Sequence, residues 1–288
     1  IMVAVLGLLL LERLCRGRGR YVEAGGPEAP CSPRRLRGIR AAGAFLACLV
    51  PFVLGFVYPV GTLAHWAWLD LASGRPAVFD VLPALGRGLA LALGTALLAT
   101  LLAAVFVHAA RQRASIARAS ASRAAGLGYA TPGVVIALGV LTVSGALDRW
   151  TGGEWFPLVG GTLFAIGFAY VVRFFAIPLK FSEAGFERIG RPLGEASRML
   201  GRGPAATLRL VYLPLLRGPL LAAAMLLFVD ILKELPLTLI LRPANFETLA
   251  TTAFSLAKEA RLQACAVPSL LIVAGLLLRH RWLLPSDE

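Results

Sequence analysis

Long uncharged stretches alternate with short basic segments along the chain, and this alternation predicts its architecture. A helix needs about 20 mostly apolar residues to cross about 30 Å of hydrocarbon. Six stretches are candidates, the last of them short but sufficient if side chains snorkel at its ends: 41–62, 88–110, 124–147, 155–179, 218–241 and 262–278. The sequence therefore predicts an all-α, polytopic membrane protein with six complete transmembrane helices.

A seventh apolar stretch, IMVAVLGLLLL at 1–11, is too short to cross a membrane alone. A signal peptide carries its positive charges before the apolar region, whereas here the arginines follow it. We therefore expect a truncated leading helix and a cytoplasmic linker over 1–40, a transmembrane domain over 41–281 and a cytoplasmic tail over 282–288. On this interpretation the chain is the later part of a longer polypeptide.

The composition supports a membrane protein, because 58% of the residues are hydrophobic and only 16% are charged. Soluble domains carry about 25% charged residues. The net charge of +13 would suggest nucleic acid in a soluble protein. Here 21 of the 29 Lys and Arg residues fall on one side of the predicted spans, in 12–40, 109–123, 180–217 and 279–288, and six fall in the opposite loops. This bias predicts that those four regions are cytoplasmic, with lipid rather than nucleic acid as the partner.

Motifs for catalysis and for metal or cofactor binding are lacking in the sequence. None of the three lysines follows a glycine, so the phosphate-binding loop GxxxxGK[ST] is absent. The four cysteines and three histidines show no ligand spacing. We predict no enzyme activity and no cofactor, and we expect His65 and His108, which lie near span ends, to be interfacial.

The predicted cytoplasmic loop from Glu183 to Leu220 has the pattern of a helix-turn-helix. Pro192 suits a first helical turn, and apolar residues then recur on one face at Leu193, Ala196, Met199 and Leu200. Gly201 and Gly203-Pro204 predict a break, and a second helix follows from about Ala205. A short amphipathic helix needs something to pack against, which is either a partner protein or the lipid headgroups.

The same loop resembles a known motif, the EAA loop E-A-A-x3-G-x9-I-x-L-P of ABC importer permeases. The spacing matches throughout, with Ser197 in place of the second alanine and Val211 in place of isoleucine. The residues at the motif positions are Glu195, Ala196, Ser197, Gly201, Val211, Leu213 and Pro214. The loop also precedes the last two predicted spans, where that family carries the motif.

The resemblance reaches from Tyr170 to about Leu278, and more loosely over 41–281, to the second half of fused iron(III) permeases. It implies the type I ABC importer permease fold in a bacterial inner membrane, with the loop and the C-terminus cytoplasmic. It also implies a separate ABC ATPase, a periplasmic substrate-binding protein and a second permease domain fused upstream. The ATPase would couple through Glu195, Ala196, Ser197, Gly201, Leu213 and Pro214.

The resemblance implies ferric iron as the solute, and alternatives remain. Similar permeases carry thiamine, polyamines, sulfate or phosphonates. Two other classes are a secondary transporter, which would show repeats with ion-site spans and no EAA loop, and a membrane scaffold.

Charged residues inside predicted spans are further candidates, because such charges are costly in a bilayer. Asp230, Lys233 and Glu234 are spaced to share one helix face, before a predicted kink at Pro236. They either neutralise one another or line the pathway or its gate. We expect Arg173 to snorkel to the headgroups. Asn245 and Glu247 fall in an external loop, which is either a contact for a delivering protein or an ordinary solvated loop.

Overall fold

A computed structural model describes residues 36–73, 78–112, 124–152, 162–190 and 192–283. Its regular elements are all helices, and no strand occurs in these ranges. The predicted all-α class is therefore confirmed for this part of the chain. The predicted leading helix at 1–11, most of the linker and the end of the tail lie outside the described residues.

Twelve labelled helices, two π-helical turns and a short helical segment at 124–130 follow one another along the described chain. The chain divides into two compact units after Thr62, and all packing described below lies within the second unit. The helices are α1 (Ile39–Phe52), α2 (Tyr58–Ala72), α3 (Val78–Gln112), α4 (Gly133–Thr151), α5 (Leu163–Phe174), α6 (Ala176–Ile189), α7 (Pro192–Met199), α8 (Pro204–Thr207), α9 (Leu213–Leu232), α10 (Pro236–Leu241), α11 (Leu249–Lys258) and α12 (Leu262–Leu283). The π-helical turns are Val53–Val57 and Leu208–Tyr212.

Four described helices are long and apolar enough to cross a membrane: Ile39–Ala72, Val81–Gln112, Gly133–Thr151 and Pro204–Leu232. A fifth is obtained if α5 and α6, which are separated by a bend of 53°, form one span. The predicted count of six is not confirmed. The stretch 218–241 is divided after Leu232 by a helix break, and the apolar part of the last helix, Leu262–Leu277, is too short.

Small side chains allow α3 to pack closely against its neighbours. Ala92, Ala96 and Ala99 recur on one face of α3 and are fully buried in the main core. Side chains of α5 and α9, among them Ile166 and Leu227, belong to the same core. Small residues on a helix face let the backbones approach closely, which is how helices associate in a bilayer.

A second core joins the end of α3 to the loop that carries the EAA-like motif. Its buried members include Val107 of α3, Phe186 of α6, and Tyr212 and Leu216, which bracket the start of α9. Through this core, the segment that carries the motif is packed at Tyr212 against α3 and α6.

Candidate functional site

The EAA-like loop folds as the helix-turn-helix that the sequence predicts. Helix α7 begins at Pro192, and the chain turns at Gly201, whose φ is +78°. The Gly201 amide donates to the Arg198 carbonyl at 2.9 Å, and the Arg202 amide donates to the Ser197 carbonyl at 3.2 Å. These two bonds form a Schellman ending, for which a left-handed glycine is the favoured residue. Gly201 is therefore required by the turn.

The apolar residues of helix α7 are exposed rather than buried against the rest of the described chain. Leu193 is about half exposed, whereas Met199 and Leu200 are 90% and 79% exposed. Glu195 and Ala196 are exposed as well. The face predicted from the sequence is thus free of packing within the described part of the chain.

The opposite face of α7 packs on the segment that leads into α9. Gly194 and Ser197 are buried. A Cβ atom at Gly194 would overlap the hydroxyl oxygen of Tyr212, so only glycine fits there. The Ser197 hydroxyl lies 3.0 Å from the Thr207 hydroxyl, within hydrogen-bond distance. In the family pattern an alanine stands at Ser197, so this hydrogen bond is a feature of this chain.

Tyr212 packs against two rings, those of Phe186 and His108, and Phe186 in turn contacts a basic side chain. The rings of Phe186 and His108 lie 4.9 Å and 5.4 Å from the Tyr212 ring, centre to centre. The Arg111 guanidinium stands 5.4 Å from the centre of the Phe186 ring. His108 is buried, and its Nε2 lies 3.1 Å from the Pro204 carbonyl oxygen. The contact between His108 and Pro204 could not be predicted from the sequence, because the two residues are 96 positions apart.

The second half of the motif leads directly into a long helix. Leu213 is half-buried and Pro214 is exposed in the first turn of α9. Together with α8 and the π-helical turn, α9 belongs to one helix, Pro204–Leu232, of 29 residues. The motif is thereby continuous with the far end of this helix.

The predicted charge cluster on one helix face is corrected by the structure. Helix α9 ends at Leu232, Lys233 caps it, and Glu234 lies in the break before α10. The Lys233 ammonium pairs with the Asp230 carboxylate at 2.9 Å, and Lys233 is half exposed. Pro236 begins α10 in its first turn rather than kinking a continuous helix. The three residues therefore surround a break and do not share one face.

Arg173 does not snorkel away from the helices, contrary to the expectation. Its guanidinium pairs with the Glu234 carboxylate at 2.6 Å, with only 19% and 8% of the two side chains exposed. The guanidinium also lies 5.2 Å from the centre of the Phe174 ring. A Cβ atom at Gly133 would overlap the guanidinium, so the start of α4 also contacts the pair.

Three chain breaks meet at this ion pair. Helix α4 starts at Gly133, α5 ends beside Arg173, and α9 and α10 are separated at Glu234. The Glu234 carboxylate also accepts a hydrogen bond from the Leu237 amide at 3.3 Å, and the Thr238 hydroxyl donates to the Glu234 carbonyl at 2.7 Å. Because the pair is linked to all three breaks, its geometry depends on their relative positions.

The segment between α10 and α11 is held by its own side chains. Glu247 pairs with Arg242 and accepts a hydrogen bond from the Thr251 hydroxyl at 2.7 Å. The Asn245 carbonyl accepts a hydrogen bond from Arg87 at 2.8 Å. Glu247 thus has partners within the chain, whereas the side chain of Asn245 is exposed.

Metal-ligating side chains do not cluster within the described ranges. No three His, Cys, Asp or Glu residues there lie close enough together to hold a metal ion.

The comparison with known proteins gives one informative relative. No protein-family model matches the chain. The Fe(3+)-transport system permease protein FbpB 2 of Haemophilus influenzae is 26% identical over 225 residues, which cover 77% of this chain and 42% of the relative. The chain thus spans less than half the length of this relative. The resemblance to iron(III) permeases predicted from the sequence is confirmed: the chain, whose described residues form only helices, is similar to an Fe(3+)-transport system permease.

Proposed function

We propose that the chain is a transmembrane permease subunit of an ABC importer in a bacterial inner membrane. It passes a solute from a periplasmic binding protein to the cytoplasm, together with a second permease domain. A separate ATPase drives transport by docking on α7. The observation that carries this proposal is the helix-turn-helix at 192–207, in which the apolar residues of α7 are exposed while Gly194 and Ser197 are buried.

Docking on α7 can be transmitted because its inner face contacts the long helix directly. Gly194 touches Tyr212, and Tyr212 begins the part of the helix that runs into the helical body. A force on the exposed face therefore reaches the long helix without an intervening loop. Similarity to an Fe(3+)-transport permease supports the same function.

The coupling role is tested with Gly201→Pro and Glu195→Lys, neither of which lies in a predicted span. We expect normal membrane insertion but weak ATPase binding, or ATP hydrolysis that no longer depends on loaded binding protein. Glu187→Lys is the matched control, since Glu187 is an exposed carboxylate on the preceding helix. Normal stimulation of the ATPase in both test variants refutes the docking role.

The class of transporter is tested by co-purification from cells that express the complete system. An ABC permease retains an ATPase subunit in mild detergent, whereas a secondary transporter or a scaffold does not. Loss of the ATPase in the Glu195→Lys variant would in addition locate the contact on α7.

Ferric iron is the proposed solute, on the similarity to an Fe(3+)-transport permease. A permease that only passes an ion needs weak contacts, because conduction fails if the ion cannot leave. The test is uptake of labelled iron(III) by cells with and without this chain. Unchanged iron uptake with loss of thiamine, polyamine, sulfate or phosphonate uptake refutes iron and leaves the importer proposal in place.

The break around Asp230, Lys233 and Glu234 is the proposed gate or pathway wall. Irregular backbone at membrane depth is tolerated where protein or a water-filled cavity covers it. Uptake by the variant Asp230→Asn/Lys233→Met/Glu234→Gln is the measurement, and we expect a loss of transport with the protein still in the membrane. Full transport by this variant removes the gate proposal.

A further inference from the structure

A polar cavity of about 220 Å³ lies between α7 and the end of α3, on the inner side of the EAA-like loop. A water molecule takes about 30 Å³ of liquid, so the cavity has room for a small polyatomic ion. The residues that line it come from two parts of the sequence that lie far apart, the end of α3 and the EAA-like loop, and Tyr212 forms part of its wall. The lining residues are His108, Arg111, Gln112, Gly194, Glu195, Arg198, Pro204, Thr207 and Tyr212.

Two guanidinium groups of this cavity have no carboxylate partner within the part of the chain that the structure describes. Arg111 lies on α3 and Arg198 on α7. The ion pairs found among the described residues include neither of them. Glu195 also lines the cavity and, like Arg198, is exposed. Two arginines and one glutamate leave an excess of one positive charge when His108 is neutral.

Three other polar side chains line the same space: the Gln112 amide, the Tyr212 hydroxyl and the Thr207 hydroxyl. Gln112 Nε2 lies 2.8 Å from His108 Nε2, and the Thr207 hydroxyl donates to the Gly203 carbonyl at 3.1 Å, so both groups already have partners in the chain. Guanidinium groups bind the oxygen atoms of phosphate in a two-pronged geometry. A cation is disfavoured by the two arginines, and an apolar ligand would leave their guanidinium groups without acceptors.

We propose that this cavity binds a phosphate group, held between Arg111 of α3 and Arg198 of α7. The bound group fastens α7 to the end of α3 and so controls how freely the coupling helix moves. The phosphate is supplied either by free phosphate in solution or by an anionic lipid headgroup at the membrane surface. Binding itself is independent of the transport proposal, whereas the control of coupling rests on it.

The test measures thermal unfolding of the purified full chain in detergent, without the ATPase. Inorganic phosphate is titrated against sodium chloride at equal ionic strength. A ligand that binds the folded state raises Tm with concentration. We expect Tm to rise with phosphate, and we expect Arg111→Gln and Arg198→Gln to need about tenfold more phosphate, the factor for loss of one charged hydrogen bond.

Arg209→Gln is the matched control, because Arg209 is an exposed arginine of the same loop that does not line the cavity. Its titration is expected to follow the unmodified chain. Arg198→Lys keeps the charge, and retention of binding by this variant shows that a loss in Arg198→Gln is not caused by misfolding. Equal weakening by Arg209→Gln would mean unspecific screening and would overturn the proposal.

A second arm identifies the source of the phosphate. The same variants are reconstituted in nanodiscs of phosphatidylglycerol or of phosphatidylcholine. Stabilisation by phosphatidylglycerol that depends on Arg111 and Arg198, without an effect of inorganic phosphate, assigns the site to a lipid headgroup. An effect of inorganic phosphate assigns it to free phosphate. Absence of an Arg-dependent effect in both arms refutes the site.

Discussion

The ion pair between Arg173 and Glu234 allows a quantitative prediction, because both partners are largely buried. Arg173→Met leaves the Glu234 carboxylate, 8% exposed, without its cation. Breaking a buried pair in this way costs about 3–5 kcal/mol of unfolding free energy. Glu234→Gln keeps an acceptor for the Leu237 amide and leaves a guanidinium that still contacts the Phe174 ring. Its cost is smaller, about 1.5–3 kcal/mol.

The double variant Arg173→Met/Glu234→Gln removes both charges and leaves neither buried alone. We therefore expect it to be more stable than the sum of the two single losses implies, by about 2 kcal/mol, within the range measured for residues in contact. The assay is chemical denaturation of the purified chain in detergent, followed by tryptophan fluorescence. The linear dependence of the unfolding free energy on denaturant gives each variant's stability.

Arg261→Met is the matched control for this cycle. Arg261 pairs with Glu259 at 3.8 Å, and both side chains are more than half exposed. An exposed pair contributes about 0–1 kcal/mol, so this change should have little effect. If the losses of the two single variants simply add in the double variant, the two charges do not interact and the reasoning fails.

Substitutions at three glycines, Gly194, Gly128 and Gly201, give further expected outcomes. Gly194→Ala should displace α7 and reduce coupling to the ATPase, and adding Tyr212→Phe should restore it, since the clash is with the Tyr212 hydroxyl. Gly128→Ala should destabilise the chain, measured by Tm, because its Cβ would overlap a backbone carbonyl of α5, whereas Gly126→Ala, with open space, should be neutral. Gly201→Ala, at φ +78°, should cost about 1–2 kcal/mol in denaturation, and Gly201→Asn should cost less. If Gly201→Ala or Gly128→Ala is as stable as the unmodified chain, the turn at Gly201 or the close contact of Gly128 with α5 is contradicted. If Tyr212→Phe does not restore coupling to Gly194→Ala, the contact between Gly194 and the Tyr212 hydroxyl is contradicted.

The local structure of the EAA-like loop could be predicted because its signals are local. Pro192 fixes the start of α7, and Gly201 is the residue that a left-handed ending requires. The angle between two successive helices could not be predicted in this way. The bend between α5 and α6 falls at Phe175, three residues before Pro178 in the first turn of α6, and a proline in a first turn does not specify the direction of the preceding helix. The predicted count of spans is not confirmed because 218–241 is divided after Leu232 and Leu262–Leu277 is shorter than a span.

Contacts between residues far apart in the sequence could not be predicted for a different reason. The partner of Arg173 lies 61 positions away, and only the packing of α5 against the break after α9 brings the charges together. Periodicity indicates which face of a helix is apolar, but it does not indicate which charge on another helix will face it. The cavity around Arg111 and Arg198 depends on the same kind of long-range packing.

The length of the helix Pro204–Leu232 has a mechanical consequence. Its 29 residues extend over about 43 Å at about 1.5 Å per residue. A lever of this length, tilted by about 5° about its loop end, moves its far end by about 4 Å. That displacement exceeds the 2.6 Å that joins Arg173 to Glu234 beside the far end. A tilt of a few degrees at the loop end of this helix is thus converted into a displacement of its far end on the scale at which an ion pair forms or separates.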